Sequence, residues 1–149
     1  MKHLLELLIK FIISFVCVSG YGVFFDAPKK SIIPAGIIGA FAWIIYEEIF
    51  LKILGNHLAL VLSSLFIGIV GEILAKKLKM PSTVFIIPSI IPIVPGGGLY
   101  YTMLNIVLKH YEKAMSIGTE ATLSACAIAF GIVLSTIVSK AIRHFKYKI

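Results

Sequence analysis

Apolar residues in this chain fall into five runs, each close to the length of a bilayer crossing, and most of the charge lies in the short segments between them. A helix needs about 20 largely apolar residues to cross the hydrocarbon core. The runs cover about 7–25, 32–50, 58–74, 83–108 and 121–138. With 59% hydrophobic and 14% charged residues and a mean hydropathy of +1.01, the chain carries more apolar surface than one small soluble core can bury. The pattern predicts an all-α polytopic membrane protein of about five transmembrane helices. It forms a single transmembrane domain over 1–149, with the lipid bilayer as its main partner.

The connections are short and leave no room for a soluble domain between spans. Asp26-Ala-Pro-Lys-Lys30 carries turn and charge signals after the first run, and Gly55-Asn56-His57 breaks the chain after the second. Lys76-Lys77-Leu-Lys79-Met-Pro81 separates the third from the fourth, with Pro81 suited to a first helical turn. Lys109 to Gly118 reads as the link into the fifth. A cleaved signal peptide is the alternative for the first run. Glu6 and Lys10 interrupt that pattern, and Ser14-Phe15-Val16-Cys17 lacks the small residues that precede a lipoprotein cysteine.

The net charge of +7 does not point to nucleic acid, because the basic residues sit beside apolar runs rather than among exposed aromatics. Lys2, Lys10, Lys52, Lys109 and Lys113 fall on one side of the alternating topology. Lys29, Lys30, Lys76, Lys77, Lys79, Lys140, Arg143, Lys146 and Lys148 fall on the other. The positive-inside rule then places the C-terminus in the cytoplasm and the N-terminus outside. Cys17 and Cys126 read as buried thiols within apolar runs. His3, His57, His110 and His144 stand singly at segment edges, so no metal site and no cofactor is expected.

The fourth run reads Thr83-Val-Phe-Ile-Ile-Pro88-Ser-Ile-Ile-Pro92-Ile-Val-Pro95-Gly96-Gly97-Gly98-Leu-Tyr100-Tyr101. Each proline removes a backbone donor and clashes with the turn before it. Each glycine weakens the helix by about 1 kcal/mol. Counted from Thr83 to Leu108, Pro95–Gly96 lies at the midpoint, so this span is expected to break there, at mid-depth. Non-helical backbone inside a membrane survives only where protein buries it or water reaches it. Transporters use such breaks as substrate sites, because a half-helix N-terminus presents free N–H groups and partial positive charge to an anion. The second half-helix is expected near Gly98 or Leu99. Pro95, Gly96, Gly97, Gly98, Tyr100 and Tyr101 are the substrate-binding candidates, with Ser89 a weaker one; the alternative is a kinked helix whose glycines serve packing.

Among the acids, Glu72 lies inside the third run, where an ionisable group usually marks an ion or substrate path. It also stands four residues before Lys76, so an interfacial ion pair is the competing reading. Glu120 opens the fifth run and is the second proton-coupling candidate, against routine complementation of a helix dipole in its first turn. Glu47 and Glu48 read as an interfacial pair without a role. Gly36, Gly39 and Ala40, and Ser63, Ser64, Gly68 and Gly71, form small-residue stripes that serve close helix packing.

Ile91-Pro92-Ile-Val-Pro95-Gly96-Gly-Gly-Leu-Tyr100-Tyr101-Thr-Met resembles the signature segment of the threonine/serine exporter (ThrE-type) family. Gly71-Glu72-Ile-Leu-Ala75 with Met80-Pro81-Ser-Thr-Val-Phe resembles the segment leading into it. Ala27-Pro28 with Gly36-Ile-Ile-Gly39-Ala-Phe-Ala-Trp43, and Gly118-Thr-Glu120-Ala-Thr-Leu, are similar to the family's first loop and second span and to its fifth-span entry. In length and span number the chain is similar to the short YjjB-like subunit. The resemblance implies a prokaryotic cell inner membrane, a small-molecule substrate (threonine or serine, or a dicarboxylate such as succinate), and a larger YjjP-like partner subunit. A homo-oligomer is a further possibility. In a fused chain, two five-span halves would have opposite orientations and build a site at their interface.

The expected function is therefore that of a membrane subunit of a secondary exporter for small carboxylate metabolites. The competing class is a non-transporting accessory or regulatory subunit. An enzyme is not expected, since no nucleophile–base or metal constellation lies at membrane depth, and no P-loop segment is present.

Overall fold

The computed structural model describes Lys2–Lys146, with side chains from 3 to 141. Of the lysines and arginine that set the charge asymmetry, Lys148 lies outside the described residues, as do the side chains of Lys2, Arg143 and Lys146. The described chain is all helical. Helix α1 covers Lys2–Phe24 and α2 covers Lys29–Ile44; α2 continues through a π-helical turn, Ile45–Phe50, into the short α3, Leu51–Leu54. Helix α4 is Asn56–Leu78, α5 is Thr83–Ile90 followed by a 3₁₀ turn at Ile91–Ile93, α6 is Gly96–Val107, and α7 is Tyr111–Lys146.

Three helices are each long and apolar enough to cross a membrane: His3–Phe24, Asn56–Leu78 and Tyr111–Ala141. Thr83–Ile93 and Gly96–Val107 meet at a bend of 59° and make a fourth if the pair is one span. Helix α2 alone has only 16 residues, but the π turn and α3 extend it without a break to Leu54.

Local chemistry sets the boundaries. Gly55 at φ 78° separates α3 from α4, a conformation that costs glycine little. Lys79 adopts left-handed φ 54° to close α4, and the reversal is sealed by Met80 N–H donating to Ala75 O at 3.0 Å. Pro81 stands before the Ser82 cap rather than inside the first turn of α5, because its fixed φ fits the turn equally well. The Lys109–Gly118 segment is not a loop. Helix α7 begins at Tyr111, since Glu-Lys-Ala-Met-Ser-Ile is good helix-forming sequence whatever its polarity.

Specific contacts fix the register of the bundle. Helices α4 and α7 run parallel: His57 meets Glu120, Ser64 faces Gly131, Gly68 faces Ser135, and Lys76 meets Ser139. The backbones approach so closely that a Cβ on Gly131 would collide with Ser64 Oγ and the Val61 carbonyl. The facing serines do not lose their hydrogen bonds, because Ser64 Oγ donates to Leu60 O at 2.7 Å and Ser135 Oγ to Ile132 O at 2.7 Å. Helix α1 is antiparallel to α2, with Gly22 against Ile32 near one end and Lys10 against Glu47 near the other, and with Val18 on Gly39 and Ser19 on Gly36 between them. Helix α5 runs parallel to α2 and is tied to it by Ser89 Oγ donating to Ala35 O at 2.9 Å. The small-residue stripes thus serve packing, which is what holds helices together where lipid is as apolar as their side chains. Phe85, Ile67, Leu60, Ile38 and Ile93 fill the centre between them.

One end of the bundle therefore collects Lys10, the π turn, and the start of α4; it is called the Tyr46 end. The other, the Lys76 end, collects the α1–α2 and α4–α5 turns and the later part of α7. The thiols differ from expectation: Cys17 and Cys126 are both exposed. Their apolar neighbours face outward too, since in a membrane chain an apolar run does not imply an interior position.

Candidate functional site

The segment from Ile91 to Pro95 is where regular α-helix fails. Pro92 and Pro95 lack N–H groups, and Val94 goes extended at ψ 134°. Helix α6 resumes at Gly96, two to three residues before the expected Gly98 or Leu99, because a first turn makes few demands that glycine cannot meet. Gly96 N–H donates back to Val94 O at 2.8 Å and Leu99 N–H to Pro95 O at 3.1 Å. Among the described residues the Gly97 and Gly98 N–H groups have no acceptor, and no side chain caps this helix start. A Cβ at Gly96 or Gly97 would meet nothing within 4 Å, whereas one at Gly98 would meet the Ala121 Cβ at 3.0 Å.

That last contact locates the break. Ala121 follows Glu120, and Glu120 meets Asn56 and His57 in the first turn of α4. The break thus lies at the Tyr46 end of the bundle, although residue counting puts it at the middle of Thr83–Leu108. The difference arises because α6 turns through 59° and lies along the first turns of α7, with Thr102 against Gly118, instead of continuing beside α4.

Two cavities flank the break. The first, about 340 Å³, is lined by Pro95, Gly98, Ser116, Glu120 and Ser124. The second, about 320 Å³, is lined by Pro92, Lys10, Ser14, Cys17, Trp43 and Glu47. Glu120 is held at the first by Asn56 Nδ2, which donates to its Oε1 at 3.4 Å, and by His57 Nε2 at 3.4 Å. Asn56 is itself fixed by Tyr46, whose hydroxyl donates to Asn56 Oδ1 at 2.7 Å. His57 Nδ1 is buried without a partner among the described residues. At the second cavity Lys10 Nζ reaches Glu47 Oε1 at 3.0 Å and Glu48 Oε1 at 2.9 Å, while Lys52 pairs with the other oxygen of Glu48. Glu47 Oε2 is buried and unpartnered.

The π turn organises both groups. By widening the helix locally it turns Tyr46 towards α4 while Glu47 and Glu48 stay against α1. The expected idle pair is thus the counter-charge of Lys10.

The remaining candidates separate. Glu120 shares a cavity with Pro95 and Gly98 and stands in the third turn of α7, so complementation of a helix start does not explain it. Tyr100 and Tyr101 are 63% and 55% exposed and touch each other edge to face, at 5.4 Å, without lining either cavity. Ser89 is buried and bonded to Ala35 O and Phe85 O, which gives it a packing role. Glu72 lies at the opposite end, and its expected ion pair with Lys76 is not formed, because Lys76 Nζ donates instead to Ser139 Oγ at 3.2 Å. Reading the sequence alone leaves out Lys10, Tyr46, Asn56 and His57. Lys10 gives a local signal, as a charge inside an apolar run, but Tyr46 reaches the site through the π turn, and Asn56 and His57 through the parallel pairing of α4 and α7. No group of three or more metal-ligating side chains converges among the described residues.

A family model described as Threonine/Serine exporter, ThrE, matches residues 10–138, a range that contains the break, both flanking cavities and every polar contact around them except that of His3 with Glu48. No curated protein and no solved structure matches the chain.

Proposed function

The chain belongs to the threonine/serine exporter family, and on that premise we propose that the break between α5 and α6 is half of the site through which it exports a small amino acid. It acts as a membrane-embedded transporter subunit rather than an enzyme. The observation that carries this reading is the cavity shared by Pro95, Gly98 and Glu120. Gly97 and Gly98 offer free N–H groups at a helix start, which suit a carboxylate. Glu120 offers negative charge on the same cavity, which suits an ammonium group. A zwitterion satisfies both at once. A dicarboxylate such as succinate would bring its second charge towards Glu120, so threonine and serine fit this cavity better.

A partner subunit completes the site in this reading. Gly96 and Gly97 face open space, and non-helical backbone in a membrane needs either water or protein against it. A larger YjjP-like subunit of inverted orientation would supply that wall. The chain passes the membrane five times, with α2 through α3 as the second pass and the α5–α6 pair as the fourth. The parallel register of α4 and α7 supports this count, because helices running the same way must be separated by one return crossing. Glu120, backed by His57, is the favoured proton-coupling group, and Glu72 the weaker candidate because it lies away from the break.

The test is counterflow of labelled threonine and of labelled succinate in vesicles holding this chain with its partner, and in vesicles holding it alone. Threonine flux that requires both chains and falls on Glu120→Gln and on Gly97→Leu is the expected result. Flux indifferent to both substitutions would leave an accessory subunit as the better description.

A further inference from the structure

The exporter reading leaves the Lys76 end of the bundle without a role. There α4, the α4–α5 turn and α7 enclose a cavity of about 610 Å³ with Glu72, Lys76, Lys79, Ser82, Thr136 and Lys140 on its polar lining. Lysines near the end of a membrane helix are ordinary, since they complement the helix dipole and anchor the span. That accounts for Lys76 and Lys77 at the end of α4. It does not account for Lys140, whose helix continues to Lys146, nor for Lys79, turned back by its left-handed φ of 54°. The parallel pairing of α4 with α7 draws these ammonium groups around one space. Among the described residues no carboxylate lies within 4.0 Å of Lys76, Lys79 or Lys140. Among the described residues the one side-chain hydrogen bond these lysines make is from Lys76 to the Ser139 hydroxyl at 3.2 Å. Three cations thus share the cavity with one carboxylate, Glu72, which pairs with none of them, and the excess positive charge favours a bound anion.

The surface beside this cavity indicates what kind of anion. Val133 and Ile137 on α7 are 54% and 57% exposed. With Lys140 they form an i, i+4, i+7 stripe on one helix face, leading from the apolar part of α7 up to the cavity. A cationic hollow at the head of an apolar stripe matches a phospholipid, and basic pockets between membrane helices are known seats for anionic headgroups. The geometry points to a binding site for the phosphate of an anionic phospholipid at Lys76, Lys79 and Lys140, with an acyl chain along Val133 and Ile137. Glu72 narrows the choice of headgroup. Its carboxylate accepts hydrogen bonds, so a headgroup carrying hydroxyl donors, such as phosphatidylglycerol, suits the cavity better than a bare phosphate.

The test measures co-purified and added phosphatidylglycerol on the full chain by native mass spectrometry, using K76Q/K79Q/K140Q. The comparison is K29Q/K30Q/K77Q, which removes the same charge at the same end of the bundle but outside the cavity. The cavity variant should bind at least about tenfold more weakly, since each basic contact is worth roughly fivefold. The comparison variant should bind as the parent does, and K76R/K79R/K140R should retain binding, which separates loss of the site from loss of the fold. Equal weakening in both glutamine variants would reduce the effect to general surface charge and overturn the site. Inorganic phosphate binding with the same lysine dependence, in the absence of phosphatidylglycerol binding, would overturn the lipid assignment.

Discussion

Gly131 and Gly97 show how differently two glycines of one chain can be constrained. A Cβ at Gly131 meets the Val61 carbonyl, which is backbone and cannot yield without moving α4. Gly131→Ala should therefore destabilise the bundle by about 1–3 kcal/mol, the usual cost of overpacking, read as earlier thermal unfolding in detergent. Gly97→Ala, with nothing within 4 Å, should unfold with the parent protein. Glu120 makes the opposite kind of demand. Its side chain is 58% exposed and its partners are long contacts at 3.4 Å, so Glu120→Gln should leave thermal unfolding unchanged. The same substitution keeps the acceptor for Asn56 and removes only the charge. A fall in threonine counterflow of about tenfold or more, comparable to losing one charged hydrogen bond, then reports on function alone. Unchanged flux would remove Glu120 from the site.

The break between α5 and α6 falls at Pro92, Val94 and Pro95, while Pro88 lies inside α5 and the three glycines open α6; its exposure makes a separate prediction. With Cys17 and Cys126 replaced by serine, cysteines at Gly96 and Gly97 should react with a membrane-impermeant maleimide. One at Gly98, backed by Ala121 at 3.0 Å, should react more slowly. Equal inertness at all three positions in the chain alone would mean that lipid, not water, covers this backbone. Much of this element is legible in the sequence, because prolines and glycines act on their own backbone and need no neighbour. Its surroundings are less legible. The sequence alone shows Glu120 at the start of an apolar run, but the helix begins nine residues earlier, at Tyr111, since helix propensity and apolarity end at different places. Tyr46, Asn56 and His57 carry no local mark. Their value comes from a π turn and a helix pairing, both of which are tertiary outcomes.

Across the whole molecule, the pairing of α4 with α7 decides how the chain lies in a membrane. His57 with Glu120, Ser64 with Gly131, Gly68 with Ser135 and Lys76 with Ser139 advance together along both helices. Two helices can share a direction only if the chain between them returns once, so Leu78 to Tyr111 must carry it from the Lys76 end back to the Tyr46 end. A re-entrant α5–α6 pair would begin α7 at the Lys76 end and make it antiparallel to α4, bringing Glu120 near Lys76 instead of His57. Helix α1 starts at the Tyr46 end, because Lys10 reaches Glu47 and Glu48 there, and α7 finishes at the other. On the proposed five-pass topology the ends of the chain then fall on opposite faces. On the same proposal, the positive-inside rule assigns the lysine-rich Lys76 end to the cytoplasm. A phosphatase fused to the N-terminus should be active outside the cell, and a fluorescent protein fused to the C-terminus should fold and fluoresce within it. Crosslinking should give the same answer at closer range: cysteines at His57 and Glu120 should join through a short bifunctional reagent, while cysteines at His57 and Lys140 should not. Both termini reporting from one face, together with failure of the first crosslink, would replace five crossings with an even number and remove the inverted relation to a partner on which the half-site depends.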